Sequence, residues 1–123
     1  MPGMNIFFVD AFASELFRGN PAAVCPLDQW IDDRMMQSIA TENNLSETAF
    51  FVREKDHYSI RWFTPEIEVD LCGHATLASA HVILNHLNAR TDRIRSASRS
   101  GDLFVFAGAG RIYLDFPSRT GKP

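Results

Sequence analysis

The side chain with the clearest potential for chemistry is Glu47, in the segment Asn44-Leu45-Ser46-Glu47-Thr48. It stands at the junction between a helix-like stretch and an apolar strand-like stretch, where a carboxylate would be partly removed from water. A partly desolvated carboxylate can accept and return a proton near neutral pH, as a general acid and base must. On position alone a solvated loop glutamate is the simpler interpretation, so the assignment needs support from other segments.

A second candidate is the segment Leu71-Cys72-Gly73-His74-Ala75-Thr76, which begins an apolar helix-like stretch. A helix N-terminus presents backbone N–H groups and the positive end of the macrodipole, so a substrate carboxylate can bind there, and Gly73 would allow close approach. Cys72 is expected to have a lowered pKa at such a position, and His74 could donate a hydrogen bond or a proton. An ordinary helix start with a buried thiol and a structural histidine remains the alternative.

Two further features are weaker. Cys72 and His74, with His81 and His86 later in the same stretch, could supply metal ligands, but they lack the spacings that zinc sites favour. We therefore expect no metal. In Arg18-Gly19-Asn20-Pro21, the amide of Asn20 could face a ligand, although turn chemistry accounts for the segment as well.

Composition limits the class of protein. The chain has 123 residues, one domain's worth, with 46% hydrophobic and 22% charged residues. A net charge of −3 disfavours nucleic acid or an anionic membrane as partner, since both require a basic surface. There is no apolar stretch long enough to span a bilayer and no signal-peptide pattern. Two cysteines are too few for a disulfide framework, so a cytoplasmic protein is expected.

The elements that must position these candidates are mostly strands. Aromatic, β-branched or alternating segments predict strands at residues 5–12, 22–25, 48–52, 58–64, 94–98, 103–106 and 111–116. Pro26 and Asp28 are expected to break the second of these, and residues 100–102 and 108–110 to form turns. Residues 32–44 predict an amphipathic helix capped by Asp32 or Asp33, with Met35 and Ile39 (less cleanly Met36 and Ala40) on its apolar stripe.

Residues 73–87 predict a second helix of a different kind, because apolar side chains surround most of it. Such a helix must be buried on nearly all sides. The simplest architecture is therefore a strongly curved sheet wrapped around this helix, an α+β fold. Residues 117–123 have the composition of a linker, which gives a domain of residues 1–116 followed by the start of an interdomain segment.

The ordered set of these segments resembles the PhzF-like phenazine-biosynthesis family, within the diaminopimelate-epimerase-like fold. The resemblance covers essentially the whole chain, with residues in family order and family-like spacing. The residues that carry it are 10–12, 19–24, 44–50, 61–65, 68–69, 71–76 and 100–101.

The resemblance implies a fold of two similar lobes, each a curved mixed sheet around a central helix, with the active site in the cleft between them. It implies a cofactor-independent, metal-free isomerase that moves a proton between carbons of a small carboxylate-bearing metabolite. The family's best-known member acts on trans-2,3-dihydro-3-hydroxyanthranilate. The family's catalytic glutamate corresponds to Glu47 in this sequence. The family's Gly-His pair, which lines the substrate pocket, corresponds to Gly73 and His74. Cys72 and Asn20 are further predicted substrate-binding residues.

The chain departs from the family in length, since members are about twice as long and a second lobe completes their pocket. We therefore expect a homodimer or a separately encoded second lobe, although a truncated half or an excised domain would account for the length as well. A catalytically silent binding or assembly domain is the alternative function. A third alternative follows from racemases related to the family, in which a cysteine near Cys72 acts in two-base chemistry.

Overall fold

The computed structural model describes residues 5–9, 21–87, 91–108 and 111–115. The two helices within these residues are α1 (Asp33–Asn43) and α2 (Gly73–Asn85). The strands, numbered in chain order, are β1 (Phe7–Val9), β2 (Ala22–Leu27), β3 (Glu47–Arg53), β4 (Tyr58–Phe63), β5 (Glu68–Val69), β6 (Arg93–Ser98), β7 (Gly101–Gly108) and β8 (Arg111–Asp115). Within the described ranges, neither helix has the length and apolarity that a membrane crossing requires.

All the described strands join one mixed sheet in the order β1-β2-β3-β4-β6-β7-β8, with the short β5 paired to β4 beside this path. Two neighbouring pairs are parallel, β2 with β3 and β4 with β6, and the others are antiparallel. Parallel neighbours need a crossover connection, usually a helix. Helix α1 makes the first crossover and α2 makes the second.

Helix α2 lies against one face of the sheet, which curls around it. Seven of its residues are buried, and its alanines and Val82 pack in one core with inward side chains from five strands. Those strand residues include Val24, Phe51, Trp62, Ile94 and Val105. Because side chains alternate along a strand, every second residue of each strand reaches this core. The predicted fold class, an α+β lobe with a curved mixed sheet around an apolar helix, is confirmed.

Helix α1 covers the opposite face of the sheet, over a smaller core that contains Phe50 and Phe63. The predicted stripe of α1 is confirmed for Met36 and Ala40, which are fully buried, and for Ile39, which packs against the same core, but Met35 is 45% exposed. The N-cap position is Asp32, as expected, but its side chain makes no capping hydrogen bond. The helix ends at Asn44, whose left-handed backbone (φ 53°) is one that asparagine tolerates.

Two local predictions need correction. Pro26 does not break β2, because the strand continues to Leu27 beyond the residues that pair with β1, where a residue without an N–H is tolerated. Gly101 and Asp102 belong to β7 rather than to a turn, so the β6–β7 hairpin turns at Arg99 and Ser100. Strand β5 was not predicted. The predicted linker at residues 117–123 lies outside the described residues and stays a prediction.

Candidate functional site

The register of three adjacent strands places Glu47 at one end of the sheet. Glu47 is the first residue of β3 and lies opposite Ala22, the first residue of β2. Its neighbour Thr48 is paired with Phe63, the last residue of β4, and Phe63 is in turn paired with Glu68 of β5. The chain then runs from β5 through Asp70 and Leu71 into α2. Glu47 and the start of α2 are therefore brought to the same end of the sheet.

The carboxylate of Glu47 is partly withdrawn from water. Its Oε1 atom is buried and accepts no hydrogen bond within the part of the chain that the structure describes. A buried polar atom without a partner costs free energy, so such an atom points to a role in binding or catalysis. The backbone around it is held firmly, because Thr48 is fully buried and its Oγ1 accepts a hydrogen bond from Asn43 Nδ2 at the end of α1 (3.2 Å).

The first turn of α2 is fixed by hydrogen bonds to Cys72, which occupies the N-cap position. Its Sγ accepts from the backbone N–H of Ala75 at 3.5 Å, and its carbonyl oxygen accepts from the N–H of Thr76 at 3.1 Å. The Thr76 hydroxyl also donates to the Cys72 carbonyl (2.7 Å) and accepts from Trp62 Nε1 of β4 (3.1 Å). Trp62 and Thr76 are both buried, so this chain of hydrogen bonds ties the helix start to the sheet.

The Cys72 thiol is neutral rather than activated, which corrects the expectation of a lowered pKa. Burial raises the pKa of Cys72 to about 11. The backbone N–H groups of Ala75 and His74 act in the opposite direction, but the negative charge of the Glu47 carboxylate adds to the rise. Burial thus raises the pKa of Cys72 by more than the N–H groups at the helix N-terminus lower it. The effect of the Glu47 charge on this pKa means that the carboxylate lies near Cys72, at the N-terminus of α2.

The remaining predicted site residues fall at the same place or outside the described chain. Gly73 and His74 are the first two residues of α2, and both are partly buried, in contrast to the buried Ala75 and Thr76 that follow. Asn20 lies outside the described residues, so its predicted role in binding stays a prediction. The structure therefore brings together Glu47, Cys72, Gly73 and His74.

The arrangement places a carboxylate, a group suited to acid/base chemistry, beside a helix N-terminus, which favours anions. Glu47 supplies a carboxylate that can take up and release a proton, and the N-terminus of α2 supplies backbone N–H groups and a positive dipole end. Among the described residues, no group of three or more His, Cys, Asp and Glu side chains is placed to hold a metal ion.

Sequence reasoning missed the contribution of Trp62 and Thr76. The alternation of residues 58–64 predicts Trp62 on the same face as Ile60 but does not show which residue its indole N–H reaches. A buried tryptophan usually finds an acceptor, and Thr76 supplies a hydroxyl in the first turn of α2. This complementarity was the available signal.

A family model described as phenazine biosynthesis-like protein (PhzC-PhzF) matches residues 9–118. The chain is 54% identical over 120 residues to a Pseudomonas aeruginosa protein named an uncharacterized isomerase, covering 98% of this chain and 46% of that protein. It is 43% identical to the human phenazine biosynthesis-like domain-containing protein, covering 98% of this chain and 44% of the human protein. The chain thus spans about half the length of these curated relatives.

Solved structures give the same picture. A phenazine biosynthesis protein of the PhzF family from Enterococcus faecalis superposes with a TM-score of 0.86 at 53% identity, covering 93% of this chain and 44% of that one. A predicted epimerase from Pseudomonas aeruginosa, 24% identical, superposes with a TM-score of 0.73 over 91% of this chain and 42% of its own. At that identity the second likeness concerns the fold alone.

Proposed function

Because the chain belongs to the phenazine biosynthesis-like (PhzC-PhzF) family, we propose that it is a lobe of a cofactor-independent isomerase with Glu47 as the acid/base residue. The observation that carries the proposal is the buried, unpartnered Oε1 of Glu47 beside the N-terminus of α2. Isomerase is also the activity in the name of the Pseudomonas relative.

The proposed reaction moves one proton within a small carboxylate-bearing substrate. Glu47 takes a proton from one carbon, the electron pair left behind shifts the neighbouring double bond, and the resulting carboxylic acid returns the proton to a second carbon. Atoms and electrons balance without an oxidant or a reductant. One carboxylate with restricted access to water can perform both steps, because it changes roles between base and acid.

The substrate carboxylate is proposed to bind at the first turn of α2. No lysine or arginine lies among residues 71–76, so recognition would rely on the backbone around Gly73 and on the helix dipole. His74 would add a hydrogen bond to the substrate. Cys72 would act as a neutral wall of the site, because its raised pKa keeps the thiol protonated near neutral pH. For the same reason the two-base racemase chemistry is not proposed.

A complete site is proposed to need a partner. The chain spans 46% of the Pseudomonas relative and 44% of the Enterococcus structure. We infer that a second copy of the chain or a separately encoded lobe covers Glu47 and the start of α2. A covered site excludes water, which strengthens the electrostatic interactions inside it.

The test is proton exchange in D₂O with trans-2,3-dihydro-3-hydroxyanthranilate, followed by NMR and mass spectrometry. Glu47→Gln keeps the shape of the side chain but cannot carry the proton, so deuterium incorporation is expected to fall by roughly 10²–10⁴-fold. The matched control is Glu66→Gln, an exposed glutamate in the loop after β4, which should exchange at the unsubstituted rate. An unchanged rate in Glu47→Gln would sink the assignment.

A second candidate function is a binding or assembly lobe without turnover. It predicts that anthranilate, a stable acid of similar shape, binds at the Gly73 end of α2 while no exchange occurs with the dihydro compound. Amide chemical shifts of Gly73 and His74 on titration with anthranilate, together with the exchange rates above, separate the two functions.

A further inference from the structure

A network of charged side chains holds the segment that leads into α2. Arg61 of β4 binds Glu68 of β5 through two parallel hydrogen bonds, from Nε to Oε2 and from Nη2 to Oε1, each 2.8 Å long. Such a bidentate pair fixes both distance and orientation. The Glu68 side chain is only 14% exposed and that of Arg61 23%, so water screens the pair less than a surface salt bridge.

The backbone alone holds this segment weakly. Strand β5 has two residues, paired to β4 through Val69 with Trp62 and Glu68 with Phe63. It is followed directly by Asp70, Leu71 and the N-cap residue Cys72. A two-residue strand contributes few ladder hydrogen bonds, so its position depends on its side chains.

A second arginine holds the same segment from the other side. Arg99, in the β6–β7 turn, donates from Nη2 to Glu68 Oε1 (3.1 Å) and from Nη1 to Asp70 Oδ1 (3.4 Å). The neighbouring Ser100 hydroxyl donates to the backbone carbonyl of Asp70 (2.9 Å). Glu68 thus receives hydrogen bonds from β4 and from the hairpin turn, and residues 68–70 are fixed between them.

Arg61 is itself held in place by its surroundings. Its guanidinium lies 5.6 Å from the ring centroids of both Trp30 and Phe63, a cation–π arrangement, and its Nη1 donates to Asp33 of α1 at 3.0 Å. The hydrogen bond to Glu68 is the main cause of a rise in the pKa of Arg61, so the cation persists at every working pH. The network therefore connects α1, β4, β5 and the β6–β7 turn.

We propose that Glu68 is a positioning residue of the candidate site, which through Arg61 and Arg99 sets where α2 begins relative to Glu47. Glu68 does not touch the reacting atoms in this role. It acts through residues 69–72, whose last member caps the helix and neighbours the Glu47 carboxylate. An effect of Glu68 on substrate binding rests on the proposed function. Its effect on the position of the first turn of α2 is independent of that function.

The test variant is Glu68→Gln, which puts an amide NH₂ where one oxygen now accepts from an arginine donor. Hydrogen exchange is measured on the full chain by NMR, at the amides of Ala75 and Thr76, which bond to Cys72, and at His86, which bonds to Val82 at the far end of α2. Loss of a charge-assisted bond is expected to speed exchange at the first two by roughly tenfold, with His86 unchanged. Arg61→Lys, which keeps the charge but not the fork, should do the same.

The control is Glu66→Gln, two residues away and exposed, which should leave all three amides unchanged. Equal acceleration at Ala75, Thr76 and His86 in Glu68→Gln would mean general destabilisation and would overturn the proposal, as would no acceleration. In a second arm, anthranilate should bind Glu68→Gln roughly fivefold to tenfold more weakly than the unsubstituted chain. Unchanged affinity despite a loosened first turn would refute the link to the site.

The two arms keep this proposal separate from the proposed function. If the unsubstituted chain binds no anthranilate near Gly73, carboxylate binding by this lobe is refuted, and the exchange rates alone still decide whether Glu68 positions the helix. If anthranilate binds and the Ala75 and Thr76 amides do not respond to Glu68→Gln, the positioning role is refuted and the site survives.

Discussion

Replacing Thr76 by valine tests whether a buried hydrogen-bond chain fixes the start of α2. The Thr76 hydroxyl accepts from Trp62 Nε1 (3.1 Å) and donates to the Cys72 carbonyl (2.7 Å), and the residue is 1% exposed. Valine has nearly the same shape, so Thr76→Val removes the hydroxyl without leaving a cavity. The substitution isolates the polar contribution.

The magnitude follows from what is left unpaired. The Trp62 indole N–H loses its acceptor in a place that water does not reach, which costs about 1–3 kcal/mol. The Cys72 carbonyl loses the hydroxyl donor but still accepts from the Thr76 backbone N–H (3.1 Å). Loss of this second hydrogen bond therefore costs less, about 0.5–1 kcal/mol. We therefore expect a decrease of about 1.5–4 kcal/mol in the free energy of unfolding. For a domain of this size that corresponds to a fall of roughly 10 °C in Tm.

The measurement is urea unfolding followed by far-UV circular dichroism and tryptophan fluorescence. Two control variants are expected to lower the free energy of unfolding by less than Thr76→Val does. Thr76→Ser keeps the hydroxyl and loses one methyl group, which costs about 1 kcal/mol. Ser79→Ala removes a buried hydroxyl that only donates, to the Ala75 carbonyl at 2.8 Å, and leaves no donor unpaired, so its cost should also stay below about 1 kcal/mol. If Thr76→Val were as stable as Thr76→Ser, the indole N–H would not depend on this acceptor.

The two remaining predictions concern the thiols and the partner. Burial raises the pKa of Cys72 to about 11 and that of Cys25 to about 12, from 9.0, so iodoacetamide should label the native chain slowly at pH 8 and quickly only in urea. Since both folded pKa values are raised, their stabilising contribution is complete below about pH 9 and is lost as the pH rises through 11–12. If a second copy completes the site, light scattering should give a dimer at high concentration, and a clean monomer would exclude that partner.

Alternating and fully apolar patterns predicted most of the fold, because burial imposes them directly. In β4, the alternating sequence predicts Ile60 and Trp62 on one face and Phe63 on the other, and the structure places them in the two separate cores. The apolar surface of α2 required enclosure, and the sheet encloses it. The candidate residues on these elements, Glu47 and Gly73, were therefore located at the correct element ends.

The features that sequence alone did not predict depend on competition between effects of similar size. Cys72 is subject both to a helix N-terminus, which lowers a thiol pKa, and to burial, which raises it, and only the packed structure shows that burial is larger. In α1, Met35 and Met36 are adjacent and either could face the core, so the phase of the stripe was ambiguous until the sheet was in place. Strand β5 is short, and its position depends on a side-chain pair between strands, Glu68 with Arg61 of β4.

Enclosure of α2 also limits the proposed chemistry to an end of the helix. The body of the helix from Ala75 to Ile83 is largely buried, so a ligand can approach only near an end. Anions are favoured at the positive N-terminal end and disfavoured at the C-terminal end. The N-terminal end of α2 is also near the start of β3. The proposed acid/base residue, Glu47, and the proposed binding position for the substrate carboxylate, at Gly73, therefore lie at the same end of the sheet. A substitution that moves the first turn of α2 must then weaken substrate binding and proton transfer together, whereas a substitution at the C-terminal end, near His86, should leave both intact.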